Sequence, residues 1–516
     1  MLNLKNSFSR YLRVTCKNVS YRIHVRNFIL LSSRGKKCST ESGLCTSFIN
    51  LVTGQQIPNR LLANKNKKIR IRIPPLNSNE KDKSKPMSEF KPSLNHVSYG
   101  GQFEVSANEN NINNECQACE SGSSNSSDVK STCTVPPDFR IWEEVGCRSD
   151  SKPGSSFKFR VVSYNVLAQC LLEYHPYLYT GCSPHNLKWK VRAPRLFDEI
   201  VELAPDILCL QEVQASHLES FYSRFEQIGY IGIFKQKTGQ REDGCAIYYK
   251  QDLFEKSDQC SVEYYQPGLP ILNRDNIGVM VKLVPRGMPF LPIVVATTHL
   301  LYNPKRTDVR LAQLQVLLAE LDRFAYNCRE PGHLPIILTG DLNSTPESAV
   351  IQLLDRGYVS ASTFRDSSDW KRIGVTDNCQ HLSVVLDRLE GRPSCFSNVK
   401  IYNSEYSKDV PGHSPSPAEY SVMFNSGAIG HSLKLVSAYD RCKPDGHQEA
   451  STFQDRWVTV DYVYYSYCSN LNLLERLRLP TAQECQALGS LPNDVYASDH
   501  LALATLFELK PALNHL

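Results

Sequence analysis

Leu334-Pro335-Ile336-Ile337-Leu338-Thr339-Gly340-Asp341-Leu342-Asn343-Ser344-Thr345-Pro346 decides how this chain is read. Its apolar piece, Pro335 to Leu338, is a short strand that runs into a Gly turn, with Asp341 and Asn343 two residues apart just beyond. A period of two sends both side chains off the same side of the strand. Open α/β sheets place their ligand crevices at that carboxyl edge. A carboxylate and a carboxamide held there can orient a water beside a metal. Asp, Asn, Ser and Gly are equally the residues of ordinary turns, so the surrounding chain has to decide.

Working outward, the same pattern recurs. Phe157 to Leu167 is a buried strand whose last polar residue is Asn165, and Trp189, Arg192, Leu196, Ile200 and Leu203 follow at helical spacing until Ala204-Pro205-Asp206 stops them. Ile207-Leu208-Cys209-Leu210 is a second apolar strand, ending at Gln211-Glu212-Val213, and a helix over 216–228 closes at Gly229. Shorter strands are expected at 244–249 and 277–283. Pro292 to Leu300 is another apolar strand ending at His299, joined to the opening stretch by a helix over 308–324. After a helix at 348–356 comes an irregular insertion, 357–430, and less regular chain to 450. Two last strands, 458–465 and 502–508, flank Ser498-Asp499-His500. Asn165, Glu212, His299, Asp341 with Asn343, Asp461 and Asp499-His500 thus all sit at strand ends. One such terminus is a turn; six drawing on the same acids, amides and imidazoles are a site.

Composition sets the limits. The chain has 516 residues and a formal charge of +5, with 41% hydrophobic and 22% charged residues, enough for a sizeable core. Residues 1–40 carry nine Lys/Arg and no Asp or Glu, and 141–516 are left at −6. The folded part is therefore mildly acidic, and a polyanion site there has to be local or metal-dependent. Arg10, Arg13 and Lys17 fall three to four apart with Phe8 and Leu12 beside them, the composition of a mitochondrial targeting segment, with a cytoplasmic protein bearing a basic tail as the alternative. Residues 41–138 are low in complexity and expected to be disordered. Cys116-x-x-Cys119 has no second pair, and 18 scattered cysteines do not make a disulfide scaffold. No apolar run approaches a membrane span.

The set of strand ends has a definite chemistry. Oxygen donors from Glu212, Asp341 and Asp499, with Asn165 nearby, suit Mg²⁺ or Mn²⁺, whereas no Cys/His cluster has zinc spacing. His299 and His500 are available for phosphate oxygens, and a carboxylate such as Asp461 can fix the tautomer of one of them. Asp461, inside Val460-Asp461-Tyr462-Val463, needs a partner, because an acid in an apolar strand is otherwise unpaired. Asp341 and Asn343 are left to activate and orient a water.

In order along 157–510, Ser163-Tyr164-Asn165-Val166-Leu167, Leu210-Gln211-Glu212-Val213, Thr298-His299-Leu300, Gly340 to Pro346, Val460 to Val463 and Ser498-Asp499-His500 resemble the motif series of the endonuclease/exonuclease/phosphatase superfamily. Gly-Asp-Leu-Asn-Ser-Thr-Pro-Glu-Ser resembles the branch of poly(A)-type deadenylases, nocturnin and Angel proteins. Asp243 to Lys250, Asn273 to Gly278 and His431 to Tyr439 point to the Angel group. The resemblance implies an α/β fold, a four-layer sandwich of two packed mixed β-sheets flanked by helices, over 139–516. It implies a metal-dependent phosphodiesterase or phosphatase acting on RNA. Glu212 would be the principal Mg²⁺ (or Mn²⁺) ligand with Asn165 and Asp499 close by, and Asp341 and Asn343 would position the nucleophile. His500, oriented by Asp461, and His299 would contact phosphate, with Asn276 as a further substrate-binding residue. The expected substrate is an RNA 3′ end, with removal of a 2′,3′-cyclic phosphate favoured over 3′–5′ deadenylase-like exonuclease action. The leucine-rich repeats by which deadenylases of this branch dock into a larger complex are not seen in the sequence. A third reading is an idle fold serving as an RNA- or translation-factor-binding adaptor, because Tyr248-x-x-x-x-Leu253-Phe254 fits a pattern that binds the cap-binding initiation factor.

Overall fold

Period-two alternation builds the architecture. In a computed structural model, Phe159, Val161, Ile207, Cys209, Ile293, Val295, Ile337 and Val463 fill the space between two sheets. Their even-numbered neighbours face outward. Val162, Tyr164, Leu208 and Leu210 pack with Leu196 and Ile200 of the helix Trp189–Leu203, and Val294, Ala296, Ile336 and Leu338 pack with Leu311 and Leu314 of the helix Thr307–Ala325. Helix, sheet, sheet, helix is the four-layer sandwich expected from the resemblance. The structure describes residues 138–146, 156–327, 332–364, 372–389, 423–424, 426–454 and 456–511, together with the backbone of 10–16 and 19–25.

The six-stranded sheet runs Leu435–Ser437, Asp461–Ser466, Ile336–Asp341, Ile293–His299, Ile277–Pro285, Phe254–Glu263. The seven-stranded sheet runs Trp142–Glu144, Leu471–Leu477, Leu503–Leu509, Phe157–Asn165, Ile207–Gln214, Asp243–Lys250, Tyr230–Gln236. Each has one parallel pair at its centre, 293–299 with 336–341 and 157–165 with 207–214, joined by one of the two long helices. The flanking pairs are antiparallel. Two βαβ units therefore lie face to face, and both send the carboxyl ends of their parallel strands to the same edge of the sandwich.

Most expected elements are present within a residue or two, and the differences have local causes. The helix expected over 216–228 is broken into a 3₁₀ turn at Ala215–His217, a wider π turn at Leu218–Tyr222 and one α turn at Ser223–Gln227. The strand expected over 458–465 is two strands. Arg456–Val458 pairs with Thr452–Gln454, and the chain then bends because the amides of Val460 and Asp461 both donate to Ser451 Oγ, each at 3.2 Å. Within the insertion, Tyr358–Ser360 pairs with Ala428–Gly430 and a helix occupies Leu382–Leu389. In the basic N-terminal segment, residues 10–16 pair antiparallel with residues 19–25. The β-branched and aromatic run Val14, Thr15, Val19, Tyr21, Ile23, Val25 favours strand. The disorder expected over 41–138 and the Cys116–Cys119 pair lie outside the described residues, Asp138 apart. No helix among the described residues is long and apolar enough to cross a membrane.

The initiation-factor pattern is corrected by burial. Tyr248 lies within Asp243–Lys250 and is 3% exposed, and Phe254 is fully buried in the next strand. Presenting both on a docking helix would require unfolding two strands.

Gly340, in the strand Ile336–Asp341, cannot accept a side chain. It has φ +144° and lies opposite Thr298, where a Cβ would fall 2.1 Å from the Thr298 carbonyl oxygen. Gly340→Ala is expected to lower stability by more than about 1 kcal/mol, read as a lower urea midpoint; a wild-type midpoint would show that the strands separate without strain.

Candidate active site

The inward-facing series of each strand continues past the apolar core into polar residues. Ser163 and Asn165 extend one strand, Thr297 and His299 the next, and Thr339 and Asp341 the third, while Asp461 opens the antiparallel strand beside them. A polar layer comes first. Gln211 Nε2 donates to Thr297 Oγ1 at 2.8 Å and to Ser163 Oγ at 3.3 Å, tying the two sheets together beneath the site.

Glu212 should by parity face outward with Leu208 and Leu210. It does not, because the register slips between Leu210 and Val213 and Glu212 adopts φ +59°. This β-bulge returns Val213 to the outer core and turns Glu212 into the cleft. There Oε1 accepts from Asn165 Nδ2 at 3.1 Å and Oε2 from the Ala168 amide at 3.0 Å. Burial, then the charges of Asp499 and Asp243, raise its pKa, against Lys237 and Asn165.

Asp341 is the hub. Asn165 Nδ2 donates to its Oδ2 at 3.0 Å and the Asn343 amide to its Oδ1 at 2.9 Å, while His299 Nε2 and His500 Nε2 lie 3.5 and 3.9 Å from Oδ2. It stands directly opposite Asp461 on the neighbouring strand. Burial first, and Asp461 second, push its carboxyl up to about 7. The donor atoms of Asp341, Asp461 and His500 all lie within 4.8 Å of one another. His500 Nδ1 is 2.8 Å from Asp461 Oδ2, which also accepts from Ser451 Oγ at 2.7 Å. Asp461 and His500 thus pair with each other, and Glu212 and Asp499 are the more exposed carboxylates of the cleft, with Asp341 behind them. Burial opposes a charge on His500, but Asp461, Asp499 and Asp341 outweigh it and raise the ring well above its ordinary value.

His299 is set the other way. Burial, Lys237 and His500 hold it well below its ordinary value. Lys237 Nζ lies 3.5 Å from its Nδ1. An ammonium only donates, so Nδ1 accepts and the ring hydrogen sits on Nε2, facing Asp341. Asn276, expected to touch substrate, is occupied with His299: its Nδ2 donates to the His299 carbonyl at 3.1 Å and its Oδ1 accepts from Gln313 at 3.1 Å. Asn343 has φ +47° and donates through Nδ2 to the Leu300 carbonyl at 3.0 Å, leaving Oδ1 for the cleft. Asp499 Oδ2 accepts from Tyr179 Oη at 2.9 Å.

Every expected site residue is therefore in one place, with Asn276 one layer behind. Sequence reasoning missed Lys237, Asp243, Tyr179 and Arg192. Lys237 Nζ is 2.6 Å from Asp243 Oδ2, Asp243 buried and the Lys237 side chain only 9% exposed; Asp243 opens one of the motifs quoted above. Fully buried Arg192 donates to the carbonyls of Val166, Leu167 and Ala497 at 2.7 Å and to Gln169 Oε1 at 3.0 Å. It clamps the loop after Asn165 to the loop before Asp499. In the sequence it is one more position of a helix face.

Glu212 and Asp499, with Asn165 bonded to Glu212, are the residues that would hold a hard divalent cation: the Asp499 charge raises the Glu212 pKa, and such a cation would relieve it. A buried acid–imidazole relay beside that centre, at the joined ends of two βαβ units, defines a phosphoesterase. The chain matches the Endonuclease/Exonuclease/phosphatase family over residues 162–500 and belongs to it. It is 33% identical over 451 residues to rat protein angel homolog 1, spanning 72% of this chain and 67% of that protein. It is 33% identical over 425 residues to zebrafish protein angel homolog 2, spanning 74% and 70%. Among solved structures it resembles ANGEL2, a 2′,3′-cyclic phosphatase, in complex with adenosine-2′,3′-vanadate, with TM-score 0.58 and 32% identity over 72% of this chain and 99% of that one.

Asp461→Asn is expected to lower the His500 pKa, because the ring loses its adjacent charge. A ring whose pKa is higher folded than unfolded contributes its full stabilisation below the unfolded value of about 6.5 and loses it as pH rises through the folded value. The variant should flatten that decline, followed by NMR titration of the ring with thermal melts across pH; an unshifted titration would mean Asp461 does not hold the charge.

Proposed function

We propose that this chain removes 2′,3′-cyclic phosphates from RNA 3′ ends with the help of Mg²⁺. The observation carrying this reading is the likeness to ANGEL2, a 2′,3′-cyclic phosphatase solved with adenosine-2′,3′-vanadate, which covers 99% of that chain at 32% identity. The site supports it. Glu212, with Asn165 and Asp499, would hold the cation, which when bound supplies positive charge at a phosphoryl oxygen. The rest is done by side chains. The Asn343 carboxamide oxygen orients a water, and Asp341, held near neutral in its pKa, takes its proton. A first attack at phosphorus breaks one of the two ring P–O bonds, the freed ribose oxygen taking a proton from solvent water while Asp341 returns its own to solvent; a second water activated in the same way breaks the remaining P–O bond and releases inorganic phosphate, leaving both ribose hydroxyls free. His500 donates its Nε2–H to a non-bridging oxygen with Asp461 behind it, and His299 offers its Nε2–H from the opposite side as a neutral donor.

Asp341→Asn is expected to lower kcat roughly 100- to 10,000-fold on RNA ending in a 2′,3′-cyclic phosphate, and Glu212→Ala to remove the response to added Mg²⁺. The same RNA and one with a poly(A) tail, run side by side, test the reading. Phosphate loss without shortening is the expected result. Shortening of the poly(A) tail makes the chain a 3′–5′ exonuclease, and full activity in Glu212→Ala overturns the metal assignment. Comparing Mg²⁺ with Mn²⁺ at matched concentration identifies the working ion.

We further infer mitochondrial delivery from the acid-free basic segment 1–40. A fluorescent fusion should lose its mitochondrial signal when residues 1–40 are removed; an unchanged distribution overturns this.

A further inference from the structure

A cleft of about 470 Å³ opens beside the active site. Tyr174 and His175 form one wall, and Arg241, Glu242 and Asp275 the other, with Asp243 reaching the floor. Through Asp243 the cleft joins the catalytic residues, since Lys237 bridges Asp243 at 2.6 Å to His299 at 3.5 Å.

The aromatic wall is fastened at both ends. At its start, the Cys170 amide donates to Gln214 Oε1 at 2.9 Å, two residues beyond Glu212. At its end, buried Tyr179 donates to Asp499 Oδ2 at 2.9 Å. Between these anchors Tyr174 and Tyr177 are 67% and 66% exposed. Of these, the Tyr174 ring lines the cleft and offers a flat group a face to stack on. The opposite wall selects the occupant. Arg241 lies 4.0 Å from Asp275, whose other oxygen accepts from Thr238 Oγ1, so the wall as a whole is net acidic through Glu242 and Asp243, and Glu242 is placed to accept from the N–H groups of a flat base in preference to the RNA backbone.

We infer that this cleft receives the base of the terminal nucleotide, stacked on the Tyr174 ring. The inference rests on the RNA-end reading above and adds how the end is held. Bases stack on exposed aromatic rings regardless of sequence, which suits an enzyme working on many RNA ends.

The test measures RNA binding in chelator, where metal-dependent hydrolysis is stopped, using fluorescence anisotropy of short RNAs whose last nucleotide carries a base or is abasic. Wild-type protein should bind the base-bearing end about tenfold more tightly than the abasic one. Tyr174→Ala should weaken only the base-bearing end, to the abasic level, and Tyr174→Phe should restore it. Thermal melts confirm that these exposed-site variants fold. Equal binding of both ends by wild type, or unchanged affinity in Tyr174→Ala, overturns the stacking role while leaving the RNA reading standing. Absence of binding to any RNA overturns the stacking role, and failure to turn over cyclic-phosphate RNA in Mg²⁺ overturns the RNA-end reading.

Discussion

Two carboxylates placed directly opposite each other on adjacent buried strands, Asp341 and Asp461, are the constraint to which the site answers. Like charges in that position are unfavourable on any sheet, and burial makes them more so. The structure resolves the conflict by division of labour. Asp461 stays committed to His500 and Ser451, and Asp341 is pushed toward neutrality, to about 7. One acid becomes a fixed counter-ion and the other a base tuned near working pH. Had both been paired with cations, neither could exchange a proton at neutral pH.

The same charge sets the two histidines apart. His500 lies among Asp461, Asp499 and Asp341 and is held charged. His299, on the strand beside Asp341, faces Lys237 and the charged His500 and is held neutral. Two identical side chains acquire different roles from their neighbours alone. Lys237 in turn depends on Asp243, which offsets the burial of the ammonium and keeps it charged.

The parallel strands and the inward series Asn165, His299 and Asp341 were legible in the sequence because period-two alternation is a local signal and the polar residues simply continue it. Glu212 was legible only as a residue type. Its direction depends on a bulge and a left-handed backbone that the alternation of Leu208 and Leu210 argues against. Arg192 and Lys237 were invisible for a different reason. Arg192 reaches Ala497, 305 residues on, and Lys237, though its ion-pair partner Asp243 is near in sequence, acts on the site through His299, 62 residues on, and no spacing rule reports such long-range contacts. Asn276 shows the converse: a motif residue near the site whose carboxamide is taken up in positioning a catalytic neighbour.

What makes the site mechanically coherent is that its loops are tied to each other as well as to the sheets. Arg192 bonds the carbonyls after Asn165 and the one before Ser498, and Ser498 Oγ returns a bond to the Asn165 carbonyl at 2.6 Å. Tyr179 joins the exposed aromatic segment to Asp499. Asn165 itself bridges Glu212 and Asp341 through a single amide nitrogen. A displacement at the ligand carboxylate is therefore transmitted to the base carboxylate through one residue, and the cation's occupancy and the base's ionisation are linked by geometry. Charge brought to Glu212 stabilises the ionised form of Asp341 beside it, so filling the site and arming its base are expected to occur together.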